Sequence, residues 1–322
     1  MRDHWHEHLS RARRPDCRGL GERRYAGHGH SARHGEHGGR IVTAELPQAD
    51  TDLEQLAAEA VAGDRIALDR LVEALQDGVY NLALRMLAHP QDAEDATQEI
   101  LVKVMASLGT FRKESSLRTW VWRIAANHLL TTRRSRREAE ALTFEALEQM
   151  LAAGLAADMP SPQRPDEALL EEEVKLGCTQ AALTCLDRDH RLTFILADIL
   201  ELTGAEGAAA LDIEPAAFRK RLSRARERLR DFMQRNCGLV NDDAPCRCRK
   251  QIGPCLHMST IDPARLLYAS QRRASSDRPE VRQQLDAIES VHRSVVVYRE
   301  QPAFGASEAL SERLKRLLDA SP

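Results

Sequence analysis

Apolar residues recur at three- and four-residue steps through much of this chain, the spacing that gives a helix one buried face. Leu68, Leu71, Val72 and Leu75, then Val79, Leu82, Ala83 and Met86, mark one such face. His89, Pro90 and Gln91 interrupt it, and Ala93, Ala96, Ile100 and Val104 predict a second helix from Asp92 to Leu108. Gly109 to Ser116 reads as a loop. Leu117, Trp120, Val121 and Ile124 then open a third helix that ends in the basic cluster Arg133, Arg134, Arg136 and Arg137. The pattern predicts a first domain of three or four helices.

Three prolines between Met159 and Pro165 cannot continue a helix and mark a linker. Beyond them, Leu192, Ile195, Leu196 and Ile199 form an apolar face, a turn falls near Thr203 and Gly204, and Ala208 to Leu211 makes a short helix. After a turn at Asp212 to Glu214, Pro215 sits where a first-turn proline is tolerated, and Phe218, Leu222, Ala225 and Leu229 stripe a long helix. Short helices, a tight turn and a basic helix are the parts of a helix-turn-helix. Cys237 to Cys255 reads as a loop, and Ile261 to Pro322 returns to helical spacing (Val281, Leu285, Ile288, Val291; Leu310, Leu314, Leu317) in a segment too polar and short to fold alone.

The expected fold is therefore all-α: two small helical domains joined by a flexible linker. A disordered segment spans 1–45, the first domain 46–138, an acidic, Pro-rich linker 139–168, the second domain 169–236, and a Cys-rich and helical extension 237–322. The first segment holds seven of the twelve histidines without any apolar period, so disorder and adventitious metal binding are its expected properties.

Length supports this division, since 322 residues exceed the usual single domain. A 30 % charged and 4 % aromatic composition suits solvated helices. No apolar run reaches the roughly 18 residues of a membrane span, and the N-terminus lacks the apolar stretch of an export signal. A cytoplasmic location is expected. Net charge is only −3, but its distribution is uneven. From Glu138 to Glu173 ten acidic residues face Arg164 alone, whereas Arg219, Lys220, Arg221, Arg224, Arg226, Arg228, Arg230 and Arg235 crowd the last helix of the second domain. A basic helix is the electrostatic footprint of a nucleic-acid surface; it could equally dock on the acidic linker, and charge alone does not separate the two.

Candidate chemistry starts in the second helix. Asp92, Asp95 and Glu99 stand at i, i+3 and i+7, one face, while the alanines and Ile100 turn inward. The helix dipole explains acidic residues in a first turn, but Glu99 lies beyond it. The segment from Asn81 to Arg137, with this acidic helix, its loop, the run Trp120-Val-Trp-Arg-Ile-Ala-Ala-Asn127 and the terminal arginines, resembles domain two of bacterial extracytoplasmic-function sigma factors of the sigma-70 class. The helix at 217–235 and what precedes it are similar to domain four of the same family.

The resemblance implies a protein that brings RNA polymerase core to promoter DNA and catalyses no covalent reaction, with no cofactor required. On it, Asp92, Asp95, Gln98 and Glu99 dock on basic helices of the polymerase largest subunit, and the loop Phe111 to Thr119 takes a base flipped from the −10 element. Aromatic stacking with arginines on the phosphates suits capture of a separated base. Trp120 shares the stripe with Ile124 and belongs to the core, leaving Phe111 and Trp122 to stack. Arg118, Arg123, Asn127, Arg133, Arg134, Arg136 and Arg137 complete that DNA surface. Arg219, Lys220, Arg221, Arg224 and Arg226 open the helix that would enter the major groove of the −35 element. Two departures stand out. Gly207 follows Glu206 where the family has Ile, and Asp212 occupies a turn position where Gly is common, so the second domain is expected to be less stable.

Cys237, Cys246, Cys248 and Cys255 lie within nineteen residues, a spacing that matches no standard zinc motif. Zinc or another thiophilic ion, a thiol switch, and no special role are all open readings, and Arg247 and Arg249 beside them would favour thiolate. Cys178 and Cys185 read as small buried apolar groups. Some sigma factors of this class carry similar Cys-rich extensions that sense metal in place of a separate anti-sigma protein, and an anti-sigma factor is itself a candidate partner. The competing function is a stand-alone helix-turn-helix regulator with a metal- or redox-sensing tail. The sigma-factor account fails if the acidic and basic surfaces pair with one another, or if strands replace the helices.

Overall fold

The computed structural model describes residues 50–132, 142–157, 159, 166–268, 290–299, 301 and 303–320, all within the unit Val42–Pro322. The segment 1–45, the arginines at 133, 134, 136 and 137, and the expected apolar positions Val281, Leu285 and Ile288 lie outside the described residues. Helices α1 (Asp50–Val61), α2 (Arg65–Leu87), α3 (Pro90–Ser107) and α4 (Leu117–Thr131) make the first module. The Asp64 carboxylate caps α2 by accepting from the Ile66 and Ala67 amides, and Ala88 ends it in the left-handed region at φ 57°. Pro90, at the first turn of α3, then needs no amide partner. The interruption at 89–91 is thus a sharp corner between two packed helices. Ser116 caps α4 through its hydroxyl.

The second module holds α6 (Glu167–Thr184), α7 (Arg188–Phe194) running into a π-helical turn at Ile195–Ile199, α8 (Gly204–Leu211) and α9 (Pro215–Asn236). Thr203 and Glu206 close a reciprocal capping box at the start of α8. Asp212 ends α8 in the left-handed region at φ 52°. Gly207 has a structural reason that its sequence did not disclose: a Cβ there would fall 2.3 Å from the buried Phe218 ring. The ring supplies the core contact that the missing side chain would have made, so the glycine is not the gap its helix position suggested.

Between the modules, where the prolines predict a linker, the described residues include a helix, α5 (Phe144–Ala156), capped by Thr143. Its Phe144 ring lies 5.4 Å from Phe232 on α9, and Glu148 pairs with Arg235 at 3.5 Å. Arg228 stacks over the Phe144 ring. The C-terminal half of the basic helix therefore does dock on the acidic segment. The extension adds α10 (Cys248–His257), α11 (Ser290–Arg299) and α12 (Glu308–Ala320), so the Cys-rich loop becomes helical from Cys248.

One continuous apolar core runs through both modules, and polar side chains of the second cap helices of the first. Gln180 donates to the Leu84 and Arg85 carbonyls at 3.0 and 2.8 Å, Tyr268 Oη to the Ala88 carbonyl at 2.9 Å, and Arg191 to that of Met86. Arg188 donates to the Leu129, Leu130 and Thr132 carbonyls. Cations and amides at helix C-termini satisfy carbonyls that the helix leaves without partners. Among the described residues there is no strand beyond an isolated bridge between Cys237 and Cys246, and no helix long and apolar enough to cross a membrane.

Candidate nucleic-acid interface

Helix α3 buries Ala93, Ala96 and Ile100 and turns its carboxylates outward. The Asp95 and Glu99 side chains are 61 % and 66 % exposed. Asp92 lies 3.6 Å from His89, and Gln98 is half-buried. Glu99 approaches the buried His128 ring on α4 at 3.9 Å. That ring meets the Lys103 ammonium at 2.7 Å, and burial together with Lys103 lowers its pKa against the weaker pull of Glu99. A neutral imidazole accepting from Lys103 thus ties α3 to α4 and fixes the lower end of the acidic stripe.

At the other end of α4 a cleft of about 450 Å³ opens, floored by Phe111 and Trp120 and edged by Arg112, Glu114, Thr119 and Arg123. The two rings stand 5.5 Å apart at 51°. This is the loop marked out for base capture, and Trp120 is packed in the apolar core as its stripe suggests. Trp120 lines the cleft although only 6 % of it is exposed, whereas Trp122 is 3 % exposed and turned into the core. Trp122 is therefore corrected from a DNA contact to a core residue. The cause is the placement of α4, which packs on α2 and α3 along one side and on α7 and α8 along the other, so a single-stripe reading does not apply. Arg123 and Asn127 are exposed and Arg118 is half-buried. Ala209 of α8 closes one edge of the cleft.

The basic helix α9 divides by function of its neighbours. Arg219, Lys220 and Arg224, near its start, are exposed and make no ion pair among the described residues. Arg221 pairs with Asp189 at 3.0 Å. Arg226 is committed to a two-pronged pair with the buried Asp198, at 2.8 and 2.6 Å, and Arg299 of α11 donates to the Asp198 carbonyl at 2.7 Å. Losing Arg226 would leave the buried Asp198 carboxylate with only the longer pair to Arg299 at 3.7 Å, so Arg226 is engaged in holding the module together. Among the described residues, no ion pair joins the acidic stripe of α3 to the start of α9.

The cysteines assemble differently from their expected reading. The Cys246 main chain bridges the residues on either side of Cys237, its amide donating to the Asn236 carbonyl and its carbonyl accepting from the Gly238 amide; Cys248 opens α10, and Cys255 follows two turns on. Cys178 of α6 belongs to the same neighbourhood, its thiol pushed well up by burial and by these four cysteines. Burial also pushes Cys246 to about 11 and Cys248 to about 12. Arg247 is occupied by the Asp242, Ala244 and Cys246 carbonyls, and Arg249 by Glu167 at 2.8 Å, so desolvation outweighs the expected cationic help and the thiols are neutral. Among the described residues no three His, Cys, Asp or Glu side chains converge on one point.

Comparison with known proteins identifies the family of both helical modules. The sigma-70 region 2 profile matches residues 71–139 and the sigma-70 region 4 profile residues 176–229. The RNA polymerase sigma-H factor of Pseudomonas aeruginosa is 31 % identical over 186 residues, covering 56 % of this chain and 93 % of that protein. The extracytoplasmic-function (ECF) RNA polymerase sigma factor SigE of Mycolicibacterium smegmatis is 32 % identical over 178 residues, 54 % of this chain and 65 % of that one. A solved structure of CnrH in complex with the cytosolic domain of CnrY aligns at 24 % identity with a TM-score of 0.41, covering 57 % of this chain and 97 % of that one. The chain belongs to the extracytoplasmic-function group of sigma-70-class RNA polymerase sigma factors. Everything from Cys237 onward lies beyond both matched regions.

Proposed function

We propose that this sigma factor grips RNA polymerase core through Asp92, Asp95, Gln98 and Glu99 of α3 and takes an unpaired promoter base into the cleft at Phe111 and Trp120. The start of α9 then enters the major groove of an upstream element. The observation that carries this reading is the cleft itself: an aromatic floor with Arg112 and Arg123 at its rim, on the same module as an exposed acidic stripe. An aromatic face binds any base, and arginines hold the phosphates on either side. Helix α8 borders the cleft at Ala209. A stand-alone regulator would use α9 alone and leave both the stripe and the cleft without a role. Sigma factors act by binding, so the reading needs no nucleophile, base or cofactor. Regulation falls to the extension from Cys237, whose helix α10 packs on α6 of the second module.

Replacing Arg219 and Arg224 by alanine in the reconstituted holoenzyme tests the assignment of α9. Affinity for promoter DNA is expected to fall about tenfold or more, and its dependence on salt to flatten, as each lost base or phosphate contact contributes roughly 1–3 kcal/mol or one released counterion. Filter binding across a salt series reads both. Unchanged affinity and an unchanged slope would remove α9 from the DNA surface.

A further inference from the structure

The C-terminal arm, residues 303–320, reaches the acidic module. Leu310, Leu314 and Leu318 of α12 are buried where it packs on α2 and α3. Just before α12, the Phe304 main chain is held at both ends by one buried side chain: the Asn81 amide donates to the Phe304 carbonyl at 2.6 Å, and the Phe304 amide donates to Asn81 Oδ1 at 2.9 Å. Arg85 stacks over the Phe304 ring, and the Ala306 amide donates to Asp77 at 2.9 Å. Beyond this anchor the arm presents donors to carboxylates. The Ser307 hydroxyl donates to Glu94 at 2.6 Å, Arg313 pairs with Glu94 at 2.8 Å and with Asp95 at 3.5 Å, and Lys315 pairs with Glu73 at 3.4 Å.

We propose that this arm is an internal competitor of RNA polymerase core. It sets a guanidinium on the flank of the stripe that a basic polymerase helix would otherwise occupy, so arm and polymerase exclude one another. The proposal rests on the reading of α3 as the polymerase face. The division of labour within the arm follows from burial. The exposed Lys315–Glu73 pair contributes little, the partly buried Arg313–Glu94 pair sets register and charge complementarity, and Phe304, Leu310, Leu314 and Leu318 hold the arm in place. Glu94, with 15 % of its side chain exposed, is almost covered, and the Arg313 guanidinium stands 3.5 Å from Asp95, where it competes for that carboxylate with any basic partner. The same sequence thus carries a surface and its cover, and polymerase binds only the fraction of molecules whose arm has lifted.

Titration of core polymerase with the full-length chain tests this with three variants. Leu310→Asp with Arg313→Glu places a charge at a buried arm position and reverses the contact on α3, which ejects the arm; Arg313→Glu alone changes only the solvent side. Apparent affinity scales with the open fraction, so the first is expected to bind core about tenfold tighter than the unmodified chain and the second measurably tighter. Binding unchanged or weakened in either variant overturns the proposal. Glu99→Lys, on a residue that the arm does not touch, reports on the face itself. If it retains full affinity, the polymerase-face reading fails; if it loses affinity while the arm variants stay unchanged, only the arm proposal fails.

Discussion

Substituting both Asp95 and Glu99 with lysine abolishes assembly with RNA polymerase core, lowering the affinity at least about a hundredfold. The size follows from interfacial charge pairs, whose couplings run from about 1.5 kcal/mol upward, and from the repulsion that replaces them on reversal. Two such reversals exceed the roughly 2.8 kcal/mol that a hundredfold change represents. The substitutions leave the fold intact, since both side chains are mostly exposed and exposed changes rarely move stability by more than about 0.5 kcal/mol. Arg313 keeps Glu94 after Asp95 is lost, so the arm retains its shorter ion pair to α3 as well as its apolar contacts. A titration of labelled core, with circular dichroism as a check on folding, reads the result. Retained affinity in a folded double variant would take the acidic stripe out of the polymerase interface.

Changing Arg191 to methionine has the largest expected effect on stability, a loss of about 3 kcal/mol or more in chemical denaturation. This buried guanidinium donates to the Leu183, Thr184 and Leu186 carbonyls at 3.0, 2.9 and 2.9 Å and to the Met86 carbonyl across the module boundary. Methionine keeps much of the volume but leaves those carbonyls buried without donors, and hydrogen bonds from a charged donor contribute about 1.5–3 kcal/mol each. Because one of the four lies at the C-terminal end of α2, the loss should also loosen the contact between modules, visible as faster amide exchange in the last turn of α2. A loss below about 1 kcal/mol would mean that water replaces the guanidinium at no cost.

Much of this arrangement is legible from spacing alone. The stripes of α2, α3 and α9, the corner at Pro90, and the left-handed Asp212 follow from local chemistry that the rest of the protein does not override. Trp122 and Gly207 mark where that logic stops. Periodicity assumes one buried face, whereas α4 is covered on two, and the value of a glycine depends on a ring eleven residues further along the chain. Polar residues conceal more. Arg188, Arg191 and Gln180 look like ordinary helix-surface residues in sequence, yet they cap helices more than fifty residues away. Likewise Arg226 sits in a basic run indistinguishable from its neighbours, and only the buried Asp198 opposite it separates a structural arginine from one that can meet DNA. The arm was visible as the spacing of Leu310 and Leu314, but nothing in a spacing names the surface on which it lands.

Run-off transcription from purified core polymerase on genomic promoter fragments, with and without this chain, tests the central claim most directly. The account predicts discrete transcripts that depend on the chain and disappear with the Asp95 and Glu99 lysine variant. Fragments bound tightly by the chain alone, with no transcript gained from core, would contradict it.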